Sequence, residues 1–361
     1  MFNKKYILFF KTGDAELRAL ENFAHSMKNI LPIIEITRGR KSRNDEIGKI
    51  SKRLDKIEHL FKDRDICLDL TTDDNLANDE TELLFNPHQG YKEWVKFLLT
   101  QKNKAIYKSI IPTILVDIDD GDIERNIKLQ AEALCKNFKY VAYRNNIADD
   151  GCYDDIDLVK DSLGKYDTKL LFILDCEYIT PLAWKSYANK ISIRIENILK
   201  KIKDAKIVII STSFPRNVVD IGNEDMDSFR LNEIDLYNEV IKKYDRSIVK
   251  YGDYGTINPI RNDTVIMVRG WVPRIDVPLE NEIYYNRKKK GANSYSDTYI
   301  ELARDYIIPD PRFPKSLKNN WGIDQIKLCA KGNSPGSSPS FWISVRMNIH
   351  IEQQLLRLGL V

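Results

Sequence analysis

The feature that most constrains the fold of this chain is a regular alternation between short apolar runs and longer segments with helical periodicity. The apolar runs lie at residues 6–10, 31–36, 66–70, 110–118, 140–143, 170–174, 207–210 and 247–251. They lack the strict apolar–polar alternation of a half-exposed strand. Strands that are buried on both faces of a parallel sheet have this composition. We therefore predict eight buried parallel strands.

Each run is followed by a segment whose apolar residues recur at helical spacing. After the first run, Asp14 is a candidate N-cap for a helix with Leu17 and Leu20 on one face. Strands separated by helices imply right-handed crossovers, and eight such units over about 250 residues match a (β/α)8 TIM-type barrel. The alternative is an open doubly wound α/β sheet, although no Gly-x-Gly-x-x-Gly follows the first run. The favoured prediction is a barrel over residues 1–255.

The alternation stops after the eighth run, and residues 256–361 form a predicted C-terminal extension. Segments 264–269 and 282–286 are predicted to pair as a hairpin, and helices are predicted near residues 296–306 and 341–358. We expect the extension to belong to the same domain as the barrel and to pack over its mouth.

Composition places the chain among soluble globular proteins. It has 361 residues, of which 43% are hydrophobic and 30% are charged, and its net charge is +3. This balance excludes a disordered chain and gives no indication of duplex DNA binding. The five cysteines are widely spaced and fit reduced thiols in the cytoplasm. No apolar run reaches the ~18 residues of a membrane span, so we predict a cytoplasmic protein with no membrane contact.

A polar residue follows each apolar run, at the point where the predicted strand ends. The carboxyl ends of barrel strands meet at one mouth, where active sites lie. The catalytic candidates, each sharing a strand face with an apolar residue two positions earlier, are Glu35, Asp69, Asp117 and Asp175. Acids gathered in a low-dielectric mouth need a divalent metal such as Mg²⁺ or Mn²⁺, a nearby Arg or Lys, or a shared proton. The competing interpretation is that each acid caps a helix or pairs with a structural arginine.

Other polar residues near the strand ends and in the last helix are candidates for binding a substrate. His350 is included because it shares the C-terminal segment with Arg346 and Asn348. The predicted substrate-binding residues are Lys11, Arg144, Ser211, Ser213, Tyr251, Asp253, Tyr254 and His350.

Several short blocks, at strand ends and in the C-terminal third, form a distinctive set. They are Pro-Ile-Ile-Glu at 32–35, Ser-Thr-Ser-Phe-Pro at 211–215, Tyr-Gly-Asp-Tyr-Gly at 251–255, Asn-Trp-Gly at 320–322 and Asn-Ile-His at 348–350. With these blocks the chain resembles the bacteriophage beta protein family nearly end to end, while residues 71–109 contribute least. The resemblance implies a TIM-type barrel with the same C-terminal tail and a context of phage–host conflict. It implies no particular reaction.

Three functions stay open at this level. The first is a hydrolase in phage defence or counter-defence that acts on a nucleotide or a nucleic-acid-derived phosphorylated substrate, with Arg144 and the Ser211/Ser213 turn holding the anionic group. The second is a non-catalytic sensor that recognises a phage component or a partner protein, such as one from the same defence operon. The third is a nucleic-acid binder that uses the lysines at 288–290 and nearby tyrosines. Convergence of the acids and Arg144 on one concave mouth with room for a ligand would favour the enzyme. Acids that are satisfied by helix caps and scattered salt bridges would favour the sensor.

Overall fold

The computed structural model describes residues 5–23, 27–43, 45–147, 155–260 and 270–360. Eight parallel strands form a closed barrel: β1 (Tyr6–Lys11), β2 (Ile30–Ile36), β3 (Asp65–Leu70), β4 (Ser109–Ile114), β5 (Tyr140–Asn146), β6 (Lys169–Tyr178), β7 (Lys206–Thr212) and β9 (Val249–Asp253). A further strand, β8 (Met226–Arg230), lies outside the barrel. Because β9 pairs with both β7 and β1, the sheet has no edge. The predicted (β/α)8 barrel is confirmed, and the open sheet is excluded.

Helices follow the strands as the sequence periodicity predicts. They are α1 (Asp14–Glu21), α2 (Ser51–Leu60), α3 (Asp79–Phe85), α4 (His88–Asn103), α5 (Ile123–Asn137), α6 (Ile156–Tyr166), α7 (Trp184–Lys201) and α8 (Asn232–Val240). The predicted N-cap of α1 is wrong: Gly13 occupies that position, and Asp14 begins the helix and pairs with Arg53 of α2. Of the helices in the described ranges, none has the length and apolar composition of a membrane span.

The predicted fourth strand is too long. It ends at Ile114, because the following backbone leaves the sheet for side-chain partners. The N–H of Leu115 donates to the Gln130 amide oxygen at 2.8 Å, and the N–H of Asp117 donates to the Tyr91 hydroxyl at 2.7 Å. The apolar run at 110–118 therefore extends beyond the end of β4.

The C-terminal extension contains an antiparallel sheet of three strands. In it, β10 (Arg274–Pro278) pairs with β11 (Glu282–Arg287), which pairs in turn with β8. The predicted second hairpin strand is β11, which pairs with β10. The predicted first strand, segment 264–269, lies outside the described residues. The helices here are α9 (Tyr295–Glu301), α10 (Trp321–Ala330) and α11 (Pro339–Arg357).

The last helix, α11, lies against the barrel wall where the eighth helix of a (β/α)8 barrel belongs. It packs on α1 and on β10, and the side chains on its two faces belong to two different hydrophobic cores. Met347, Ile351 and Leu355 join the main core with the outward side chains of the barrel, whereas Val345 and Ile349 join a second core with β10, β11 and α9. That the extension belongs to the same domain as the barrel and packs over its mouth stays a prediction, and truncation can test the first part.

The Asn-Trp-Gly block at 320–322 lies at the start of α10 and packs it against α11. The Asn320 side chain accepts the N–H of Ile323 at 2.9 Å and so caps α10. A Cβ atom on Gly322 would lie 2.6 Å from the carbonyl oxygen of Val345, so only glycine allows this close approach. Asn348 accepts the N–H of Gly322 at 3.1 Å and donates to the carbonyl of Ala19 at 3.0 Å. This block is therefore explained by helix packing.

Candidate active site at the barrel mouth

Inward-facing side chains form a polar layer at the carboxyl ends of the strands. The barrel interior below this layer is apolar and includes Phe9, Ile33 and Ile173. Because side chains alternate along a strand, the next inward positions come two residues after the apolar ones. These positions hold Lys11, Glu35, Asp69, Arg144 and Asp175. The strand register places Lys11, Glu35 and Asp69 side by side on β1, β2 and β3.

Arg144 is the centre of this layer. Its Nη1 donates to Oε2 of Glu35 and to Oδ2 of Asp69, both at 2.9 Å. Its Nε and Nη2 lie 2.8 and 2.7 Å from Oδ2 of Asp175. The guanidinium carbon also lies 4.5 Å from the centre of the Phe9 ring. The Arg144 side chain is 23% exposed, against 4% or less for the three acids, so Arg144 is the part of the layer that solvent reaches.

Two further groups complete the arrangement, which we call the mouth ring. Lys11 Nζ lies 3.2 Å from Oε1 of Glu35. The Tyr254 hydroxyl donates to Asp175, with its oxygen 2.6 and 2.7 Å from the two carboxylate oxygens. The mouth ring consists of Lys11, Glu35, Asp69, Arg144, Asp175 and Tyr254. Shared hydrogen bonds hold these side chains in fixed positions.

The acids of the mouth ring differ in their electrostatic environment. Burial raises the pKa of Asp69, and the nearby Glu35 charge adds to that rise, so the attraction of Arg144 is outweighed. Burial also opposes ionisation of Glu35, but Lys11 and Arg144 together hold its pKa below the usual value. Two carboxyl groups that accept hydrogen bonds from the same guanidinium nitrogen thus have pKa values shifted in opposite directions. Pairs of this kind can divide the roles of acid and base between them.

Asp117 does not belong to the mouth ring. Its carboxylate accepts the N–H of Asp119 at 3.0 Å, in a turn beyond the end of β4. The last inward position of β4 is Thr113, whose Oγ1 lies 3.8 Å from Sγ of Cys67. Asp117 would lie at an inward position only if β4 continued to residue 118, as the apolar run predicts, but the strand ends at Ile114.

The remaining predicted residues lie on the outer side of the barrel wall. Since Gly252 and Tyr254 point inward, Tyr251 and Asp253 point outward toward α11. Ser211 is adjacent to Asp253 in the strand register and is buried on the same outer side. The outward-facing predicted residues are Ser211, Ser213, Tyr251, Asp253 and His350. The structure does not bring them into the mouth ring.

Asp253 is the centre of this second group, which we call the outer cluster: Tyr6, Tyr251, Asp253 and His350. Asp253 accepts hydrogen bonds from the Tyr6 hydroxyl and, at 2.8 Å, from the Tyr251 hydroxyl. His350 Nε2 lies 2.9 Å from Oδ2 of Asp253, the oxygen that also accepts the Tyr251 hydroxyl. Burial opposes ionisation of Asp253, but His350 and the hydrogen bond from Tyr6 lower its pKa. The outer cluster joins β1, β9 and α11 beneath the protein surface.

Ser213 is also occupied by protein groups. Its hydroxyl donates to Oε2 of Glu233 and accepts the N–H of Asn232 at 2.7 Å, so it holds the first turn of α8. Burial raises the pKa of Glu233 to about 8, and the charge of Asp253 contributes to that rise. Glu233 is therefore a buried acid that stays protonated at neutral pH.

Replacing Glu233 by Gln should stabilise the protein in mildly alkaline solution. Because the folded pKa of about 8 exceeds the usual value of 4.5, the folded state binds this proton more tightly, and stability should fall as pH rises from 4.5 to 8. At pH 8 the variant should gain up to about 4 kcal/mol over the parent protein, whereas at pH 4 the two should be equal. Urea unfolding at both pH values measures the difference. Glu239→Gln, on the exposed side of α8, should change stability by less than about 0.5 kcal/mol, and an equal gain there would contradict the assignment.

The Tyr-Gly-Asp-Tyr-Gly block at 251–255 connects the mouth ring with the outer cluster. Tyr251 and Asp253 supply the outer cluster, and Tyr254 supplies the mouth ring. A Cβ atom on Gly252 would lie 2.9 Å from the Ile7 carbonyl oxygen, so the barrel wall has no space for one. Gly255 has φ +58°, a left-handed conformation, and its N–H donates to Asp253 at 2.8 Å. The two tyrosines and Asp253 are thus explained by the contacts of their side chains, and the two glycines by the space and the backbone conformation at their positions.

Sequence reasoning missed several buried polar residues. Tyr6 was assigned to an apolar run, and nothing in its neighbourhood indicates a partner for its hydroxyl. Arg346 is buried and lies 2.7 Å from Asp276, and its Nε donates to the Thr256 hydroxyl at 3.1 Å. The signal for Arg346 was available, because it lies one helical turn before the candidate residue His350.

Metal binding receives no support from the geometry of the described residues. Within those ranges, no group of three or more His, Cys, Asp or Glu side chains is arranged to hold a metal ion. The three acids of the mouth ring share a guanidinium group instead, and an ion bound among them would have to displace Arg144. A Mg²⁺ or Mn²⁺ cofactor stays a prediction.

Comparison with known proteins gives the chain a family. The family model for beta protein matches residues 6–356. The chain is also 30% identical over 357 residues to the protein named "Protein beta" of Enterobacteria phage P4, covering 98% of this chain and 93% of the phage protein. The match takes in the barrel strands, the mouth ring and most of α11. The chain therefore belongs to the beta protein family.

Proposed function

We propose that this protein is a hydrolase that works by carboxylate acid–base catalysis at the mouth ring. The observation that carries the proposal is the pair Glu35 and Asp69. Both bind Nη1 of Arg144 at 2.9 Å, yet the pKa of Asp69 is raised and that of Glu35 is lowered. General acid–base hydrolysis needs one protonated and one ionised group within reach of the same bond.

The environment of each acid suggests its role. Asp69, with its raised pKa, would donate a proton to the leaving group. Glu35, held ionised by Lys11 and Arg144, would accept a proton from the attacking water. Asp175 and Tyr254 would position Arg144, which is the most exposed of the charged groups and therefore the first to meet a substrate.

The substrate we propose is a nucleotide or another nucleic-acid-derived phosphorylated compound. Three carboxylates face two cations in the mouth ring, and Arg144 already binds all three carboxylates. A phosphate would therefore be held at the rim of the ring, while sugar hydroxyls or base amino groups donate to the carboxylates. The phage origin of the matched P4 protein supports a context of phage–host conflict.

Hydrolysis should be lost in variants of the two acids. A panel of nucleosides, nucleotides, RNA and DNA, tested with and without Mg²⁺ or Mn²⁺, would identify the substrate. On that substrate, Asp69→Asn and Glu35→Gln should each lower kcat about 10²- to 10⁴-fold. The rate should fall at low pH as Glu35 gains a proton and at higher pH as Asp69 loses one, and Asp69→Asn should remove the second decline.

Asp119→Asn provides the matched control, since Asp119 is exposed in the loop after β4. It should leave kcat unchanged. No turnover across the panel, or full activity in both acid variants, would contradict the hydrolase.

A sensor or interaction module is the second candidate function. It is favoured by the mutual pairing of the mouth ring, in which the three acids are almost fully buried. A structural ring of this kind would support a recognition surface without chemistry. In that case Asp69→Asn and Glu35→Gln would preserve the phage-related phenotype in cells, and the panel would show no turnover.

A further inference from the structure

The face of the barrel opposite the mouth ring carries a circle of basic residues. Seven of the eight barrel strands have a Lys or Arg immediately before the strand or within its first two residues. These residues are Lys5, Arg64, Lys108, Lys139, Lys169, Lys206 and Lys250. The same positions contain one acid, Asp65. Since parallel strands all start at one end of a barrel, these charges share one face, which we call the basic face.

Neighbouring strand starts bring like charges together. The N–H of Lys108 donates to the carbonyl of Arg64 at 2.9 Å, and the N–H of Lys169 donates to the carbonyl of Lys139 at 3.0 Å. Lys250 is 9% exposed. Burial lowers its pKa, and the charge of Lys206 lowers it further against the opposing effect of Asp245. The positive charge on this face is thus concentrated.

Acids offset only part of that charge. Lys169 is paired with Asp204 at 2.8 Å and with Asp167 at 3.3 Å. Asp65 accepts a hydrogen bond from the Ser109 hydroxyl at 2.8 Å. Burial lowers the pKa of Lys5, and the charges of Lys108 and Arg64 lower it further although Asp65 opposes them.

Two of the lysines at 288–290, the segment that the sequence suggested for nucleic-acid binding, are paired with acids. Lys288 is paired with Glu301, and Lys289 lies 3.0 Å from Glu224. The charges of these two lysines are balanced locally, whereas the seven bases of the basic face are opposed by the four acids Asp65, Asp167, Asp204 and Asp245.

An open groove crosses the basic face between the starts of β3, β4 and β5. Lys108 and Lys139 line it together with Asp65, Ser109, Ile110 and Tyr140. The Tyr140 side chain packs against the barrel interior and stays partly exposed. Basic side chains beside an accessible aromatic ring are the combination that single-stranded nucleic acids bind, through phosphates and base stacking.

We propose that the basic face binds single-stranded nucleic acid, with the phosphates on the strand-start lysines and a base against Tyr140. The charges form a circle spread over seven strands, so they suit several phosphates along a flexible strand. A duplex is too stiff to follow such a circle closely. The net charge of +3 for the whole chain conceals this face, because acids elsewhere balance it. The site is at the opposite end of the barrel from the mouth ring and does not depend on the proposed hydrolase.

Binding of a labelled oligo-dT of about 20 nucleotides, measured by fluorescence anisotropy at several salt concentrations, tests the proposal. The triple variant Lys108→Gln, Lys139→Gln, Lys206→Gln should bind at least about tenfold more weakly at low salt. The slope of log affinity against log salt should shrink by about 2, since each single-strand phosphate contact contributes about 0.7. Tyr140→Leu should weaken binding without changing that slope.

The control is Lys315→Gln, Lys318→Gln, Lys331→Gln, which removes the same charge from exposed positions in the C-terminal extension. It should bind as the parent protein does, and thermal unfolding checks that both triple variants are folded. The proposal is overturned if oligo-dT does not bind at low salt, or if the two triple variants bind alike. It is also overturned if duplex DNA or inorganic tripolyphosphate competes as well as the single strand.

Discussion

A chain that ends at residue 338, before α11, should fail to fold, and it should not yield a free barrel. This truncation removes Met347, Ile351 and Leu355, which cover the outward side chains of β1 and β9. Each buried apolar side chain of this size contributes about 1.5–3 kcal/mol, and both cores lose their shared helix. The sum approaches the whole stability of a typical domain, about 5–15 kcal/mol. Soluble yield, far-UV circular dichroism and thermal unfolding would show the loss of a cooperative transition.

Removing only residues 359–361 gives the matched control and should keep that transition. A chain ending at residue 255 should fail in the same way as the one ending at 338. If either long truncation folds cooperatively, the barrel is independent of its extension and α11 is an accessory element.

Replacing Arg144 by Met should destabilise the protein strongly at neutral pH. Three buried carboxylates would lose the guanidinium that neutralises them, and breaking a buried ion pair of this kind costs about 3–5 kcal/mol. In the variant, the folded-state pKa of Asp69 should rise further, and the pKa of Glu35 should rise from its lowered value. Stability should therefore recover as pH falls and the acids take up protons. Urea unfolding at pH 7 and pH 5 measures both effects.

Arg312→Met is the matched control, because Arg312 pairs with Asp310 at the surface at 2.8 Å and its side chain is 41% exposed. It should cost less than about 1 kcal/mol and show little pH dependence. Adding Asp69→Asn to Arg144→Met should restore part of the lost stability. Equal losses in the Arg144 and Arg312 variants would mean that the mouth ring does not depend on its guanidinium.

The barrel could be predicted from sequence because a strand buried on both faces has a distinctive composition. Five of the six mouth-ring residues follow from one rule, that inward positions recur every two residues: Lys11, Glu35, Asp69, Arg144 and Asp175. Asp117 failed under the same rule, since the rule does not say where a strand ends. Side chains of α5 and α4 take the backbone of β4 out of the sheet there, and such tertiary contacts leave no local signal.

The outer cluster shows a different limit of sequence reasoning. Asp253 and Tyr254 are adjacent, so both seemed to belong to one site. Their side chains point to opposite sides of the barrel wall, and the alternation that identified the mouth ring should have separated them. The place of α11 could not be predicted in this way, because the 85 residues 254–338 lie between β9 and the helix that packs against it.

The position of α11 has a consequence for synthesis of the protein. The first strand, β1, is made early, but its outer face is covered by a helix close to the C-terminus. Asn348 donates to the carbonyl of Ala19 across 329 positions of the sequence. A ribosome adds about 5–20 residues per second, so β1 waits tens of seconds at the slower rate before α11 emerges. The outer face of β1 therefore stays uncovered by its final neighbour for most of the time in which these 361 residues are made, and the barrel wall is complete only once α11 has emerged.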